Sequence, residues 1–119
     1  MIYTLFLDID GVLLEQAKDY TETVSGSLPA VVGKAAAKML QWHLEGHRLI
    51  LTTGRTEPLR SLTELSLANA GIIYDQLVMS VGSGPRIVIN DIDPKHPLVL
   101  KALAINLERN KGIDDINLT

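Results

Sequence analysis

The chain has 119 residues, 46% of them hydrophobic and 21% charged, with a formal net charge of -3. This balance suits one domain, 1–119, with its own core, and argues against a disordered chain or a membrane protein. The charge gives no general attraction to nucleic acid or an anionic membrane surface, and the absence of cysteine rules out disulfides, thiolate catalysis and cysteine-held zinc.

In chain order, Ile2 to Leu7 is a short, apolar, β-favouring run that reads as a strand buried on both faces. Glu15 to Leu28 is a polar, loop-like interval. Pro29 to Leu44 carries Val32, Ala35, Ala36, Met39, Leu40 and Leu44 at helical spacing, and Gly46 reads as its stop. Arg48 to Thr53 reads as a second strand. A second helix is expected from an N-cap at Thr56, through Leu59, Leu62, Leu65 and Leu67, to a terminator at Gly71. Tyr74 to Met79 and Ile87 to Ile89 suit further strands, and Pro97 to Asn110 a last helix. Alternation of this kind predicts an α/β fold, a three-layer sandwich around a central parallel sheet.

Ligands of open α/β sheets bind beyond the carboxyl ends of the strands. The first expected strand ends in Asp8-Ile9-Asp10-Gly11, the second in Thr52-Thr53-Gly54-Arg55, and the run after Arg86 in Asn90-Asp91-Ile92-Asp93. Residues i and i+2 of an extended segment face the same side, so Asp8 and Asp10 can share one small volume. With Asp91 they would repel one another unless a cation lay among them, and all-oxygen ligation by a few carboxylates favours Mg²⁺. Asp8 and Asp91 would offer carboxylate oxygens and Asp10 its main-chain carbonyl. One carboxylate could then attack a phosphoryl group while the other handles the proton of the leaving group. Gly11 permits a sharp turn that aims N–H groups around Ile9 and Asp10 at phosphate oxygens. Thr53 can donate its hydroxyl to the same phosphate. Each element also has a plain structural reading: Asp10-Gly11 a turn, Thr53-Gly54 a strand end, Asn90-Asp91 a cap. Their coincidence at corresponding strand ends favours the site.

These residues resemble the haloacid dehalogenase (HAD) superfamily of phosphohydrolases. Leu5-Phe6-Leu7-Asp8-Ile9-Asp10-Gly11-Val12 is similar to its first motif, Leu49 to Thr53 to its second and Ile87 to Asp91 to its fourth. The resemblance implies a HAD-like, Rossmannoid fold in which Asp8 is the nucleophile, Asp10 the general acid and then base, and Asp91 a Mg²⁺ ligand, with Asp93 an outer ligand. The lysine of the third motif is missing, since none occurs between Lys38 and Lys95. Arg86 is the expected stand-in, keeping the charge with a different reach; a surface arginine after a turn is its plain alternative. Arg55 either touches substrate beyond its phosphate or pairs with a helix acid, while Gly54 and the Ile9 N–H are further candidates for substrate contact.

The family's cap domain has no room here beyond a short flap around 12–28, so the chain looks capless. A bare site implies a bulky substrate or cover from a neighbouring subunit of a homo-oligomer. The expectation is a cytoplasmic, Mg²⁺-dependent phosphatase acting on a small-molecule phosphomonoester such as a phosphorylated sugar, with an aspartyl-phosphate intermediate. A phosphoacceptor signalling domain fits the motif order poorly, while a HAD-like binding or regulatory protein without turnover stays open because fold does not dictate function. His43, His47 and His96 lack metal-ligand spacing, and Trp42 is most simply packing.

Overall fold

The computed structural model describes residues 1–16 and 28–118, so most of the expected flap lies outside the described residues. Three parallel strands, β1 (Thr4–Asp8), β2 (Arg48–Thr52) and β3 (Gln76–Val78), form one sheet in the order β1-β2-β3. β1 aligns Asp8 with Thr52, and β2 aligns Thr52 with Val78, so the carboxyl ends of all three strands lie level. Helix α1 (Ala35–Leu44) leads into β2; a 3-10 turn (Glu57–Leu59) and helix α2 (Arg60–Asn69) lead into β3. The chain is thus an α/β protein with a small parallel sheet.

β2 is central, and Leu49, Ile50 and Leu51 are buried, as an uninterrupted apolar run in a parallel strand should be. They join Leu7, Ile9, Leu13, Met39, Trp42, Leu67 and Ile113 in the core. Both helices end as the glycines foretell. Gly46 and Gly71 have positive φ, and the amides of His47 and Ile72 reach back to the carbonyls of Trp42 and Leu67, satisfying groups that the helix end leaves open. His47 is structural: its Nδ1 accepts the Tyr3 N–H at 3.0 Å, tying the start of β1 to the start of β2. Trp42 packs in the core with the Lys38 ammonium 5.4 Å from its ring centre.

Four expectations need correction. The first helix begins at Ala35, not Pro29, because Val31 bridges Leu14, Gly33 turns with φ 55°, and the Asp114 carboxylate takes the Lys34 N–H at 3.0 Å. The second helix has no side-chain cap from Thr56; the Glu57 N–H is instead met by Ser80 Oγ at 3.1 Å. Ile87 to Ile89 joins no sheet, and Pro97 to Asn110 has turns but no helix. Ile87, Ile89 and Leu98 are 85%, 87% and 95% exposed, so the apolar side chains that would form a buried face lie in water, and a short helix without such a face is marginal. β1 therefore stays an edge strand, and Phe6 on it is 65% exposed.

Candidate active site

The strand ends gather four of the expected side chains. Asp8 closes β1, and its carboxylate accepts the N–H of Ile9 at 2.9 Å. The carbonyl of Ile9 then accepts N–H groups from Val12, Leu13 and Leu14, while the Gly11 N–H meets the Leu14 carbonyl at 2.7 Å. A coil this tight needs the φ of 86° at Gly11, and it fixes Asp10 above the buried Ile9. The Ile9 amide expected to face a phosphate is thus engaged by Asp8 itself.

Burial of its carboxyl raises the pKa of Asp8; the Ile9 N–H opposes this, the neighbouring Asp10 charge adds to it, and the Arg86 charge lowers it. Asp10 and Arg86 thus act on the Asp8 carboxyl in opposite directions. Arg86 also donates through Nη1 to the Gly84 carbonyl, which anchors it to its own loop.

Thr53 is buried at the end of β2, where its Oγ1 accepts the Arg55 N–H at 3.1 Å and its N–H meets the Val78 carbonyl at 3.0 Å. Its hydroxyl proton remains its own to donate. The loop after β3 folds back over this corner: the Ser80 N–H bonds the Arg55 carbonyl at 2.8 Å and the Val81 N–H bonds the Thr53 carbonyl at 3.0 Å. A Cβ on Gly54 would lie 2.8 Å from the Gly82 carbonyl oxygen, so residue 54 must be glycine for that loop to seat.

Arg55 points inward. Its Nε and Nη2 grip the two oxygens of Asp10 at 2.9 and 2.7 Å, and Nη1 donates to Thr63 Oγ1 at 3.1 Å. The acid it pairs with is Asp10, just after β1, and not a helix residue. Sequence alone could not reveal this partner, because the pair is 45 residues apart and nothing local marks it. A clasp from the far end of the chain was likewise unforeseen: the Asn110 N–H meets the Gly11 carbonyl at 2.7 Å, and Asn110 Oδ1 accepts the Gln16 N–H.

Asp91 is not brought to this cluster. It is exposed and pairs with the Lys101 ammonium at 2.5 Å, which lowers its pKa. Asp93 likewise lies on this segment and accepts the Lys95 N–H. Among the described residues no three acidic or histidine side chains converge on a metal position. The physical reason is the missing fourth strand: without it, residues 87–93 are not carried to the rim. Asp8 and the Asp10 carbonyl remain as hard oxygen donors, a partial fit to Mg²⁺, which keeps several waters and uses one or two carboxylates plus phosphate oxygens.

No protein-family model matches the chain, and no curated protein does. Among solved structures it is similar to a chain in the structure of a Pnkp1/Rnl/Hen1 complex, with 26% sequence identity and a TM-score of 0.57. The match covers 71% of this chain and 30% of that one, so this chain spans about a third of its neighbour's length.

Proposed function

We propose that the chain is a phosphohydrolase that takes the phosphoryl group of a phosphomonoester onto Asp8. The observation carrying this reading is the Asp8–Asp10 pair at the rim of a parallel sheet, with the buried Thr53 hydroxyl at the neighbouring strand end. In this reading Asp8 attacks phosphorus, Arg86 stabilises charge growing on the phosphoryl oxygens, Asp10 protonates the leaving oxygen, and water then releases phosphate from Asp8. Mg²⁺ is the cofactor suited to the hard oxygen donors, held by Asp8 and the Asp10 carbonyl, with water and phosphate oxygens completing its shell. When bound it would neutralise charge on the transferred group. The HAD resemblance agrees with these roles, and with a phosphorylated sugar as substrate.

A second reading, a binding domain without turnover, is favoured by one specific observation: both oxygens of Asp10 are already engaged by Arg55. The two are separated by assaying a broad panel of phosphate esters with Mg²⁺ and then with chelator. Hydrolysis that needs Mg²⁺ supports the enzyme; no hydrolysis of any ester supports the binding domain.

A further inference from the structure

We infer that Arg55 is a positioning residue that sets the orientation of the Asp10 carboxyl for proton transfer, an inference that rests on the phosphohydrolase reading. An arginine that reached for substrate would keep its guanidinium exposed. Arg55 does the opposite, with a side chain only 8% exposed against 18% for Asp10. It is held along its whole length. Its N–H is fixed by Thr53 Oγ1, its carbonyl by the Ser80 N–H, and its guanidinium by Asp10 on one side and Thr63 on the other. Thr63 is itself buried in α2 and donates its hydroxyl proton to the Leu59 carbonyl at 2.8 Å, so its oxygen is aimed at Arg55 and cannot swing away. α2 thereby reaches, through one guanidinium, the turn that follows β1.

A carboxylate oxygen has two acceptor positions, and the fork occupies one on each oxygen of Asp10. The remaining positions face away from Arg55, and they are where a proton is held. In the first step a bond forms between an Asp8 oxygen and phosphorus, the bond from phosphorus to the leaving oxygen breaks, and the Asp10 proton passes to that oxygen. In the second step water adds to phosphorus, returns a proton to Asp10 and frees phosphate, restoring the Asp8 carboxylate. The planar fork of arginine fixes the carboxyl plane; a lysine ammonium is a point charge and does not.

The leaving-group dependence of phosphoryl transfer tests this. An alkyl phosphate needs the proton from Asp10, whereas an aryl phosphate with an acidic phenol leaves without it. Single-turnover rates would be measured with Mg²⁺ for wild type, Arg55→Lys, Thr63→Val and Thr63→Ser. Arg55→Lys and Thr63→Val should slow transfer from the alkyl phosphate by about 10–100-fold, part of what a general acid supplies. Transfer from the aryl phosphate and the concentration for half-saturation should stay within about threefold, and Thr63→Ser, which keeps the hydroxyl, should behave as wild type. Equal slowing on both esters would overturn the inference in favour of a merely structural role. Weaker saturation at an unchanged maximal rate would overturn it in favour of substrate binding. Both results need an active wild type; a wild type inactive on both esters would overturn the phosphohydrolase reading, and the positioning role with it. If Arg55→Lys does not fold, the contrast between Thr63→Val and Thr63→Ser decides alone.

Discussion

Replacing Arg55 by methionine keeps most of the side chain's bulk and removes its three donors, leaving the Asp10 carboxylate largely buried without its partner. Removing one member of a fully buried ion pair costs about 3–5 kcal/mol, mostly from the stranded charge. Asp10 keeps 18% of its side-chain surface, so water offsets part of this, and a loss of about 2–3 kcal/mol is expected. For a domain of this size total stability is about 5–15 kcal/mol and the urea slope about 1–3 kcal/mol/M, so the midpoint should fall by about 0.7–3 M. The double variant Arg55→Met with Asp10→Leu strands no charge and should recover most of the loss. A loss below about 0.5 kcal/mol in Arg55→Met would equate the pair with an exposed surface bridge and refute the reasoning. So would single and double variants whose effects simply add.

Two alanine substitutions in the adjoining loops should differ sharply. Gly54→Ala forces its Cβ against the Gly82 carbonyl oxygen and should cost about 1–3 kcal/mol with a matching loss of turnover, while Gly84→Ala meets nothing within 4 Å and should stay within about 0.5 kcal/mol; calorimetry of both checks this. Because burial raises the pKa of Asp8 in the folded state, folding favours its protonated form, and stability should decline as pH rises from the ordinary carboxylate value through the raised one. Asp8→Asn should remove that decline, leaving a variant more stable than wild type above this range in urea unfolding, though without turnover. Asp91→Asn should leave the Mg²⁺ concentration needed for half-maximal hydrolysis unchanged, because Asp91 pairs with Lys101 away from the rim. A raised requirement would show that Asp91 reaches the ion during turnover.

The parts of the fold visible in the sequence are those dictated by neighbours along the chain. The apolar run of β2 requires burial, and Gly46 and Gly71 supply the left-handed turns that stop two helices. Ile87 to Ile89 carries the same apolar signal as β2, yet an apolar run states only a need for burial, and the strand that would satisfy it is a tertiary matter. The same limit applies at the rim. Asp8, Asp10, Thr53 and Arg55 are recognisable as strand-end residues, but Arg55's choice of Asp10 depends on Thr63 holding the guanidinium from α2, and Asp114 caps Lys34 from 80 positions away. Glycine at 54 is explained only by a loop that folds over it 28 residues later.

The central claim, that Asp8 receives a phosphoryl group, is most directly tested by acid-quenching the protein during turnover of an aryl phosphate with an acidic phenol and Mg²⁺, and mapping phosphorylation by peptide mass spectrometry. The account predicts an acid-stable, base-labile phosphoryl group on the peptide containing Asp8, present in Asp10→Asn and absent in Asp8→Asn. Hydrolysis with no phosphorylated peptide at any time point, or with the group on another residue, would contradict it.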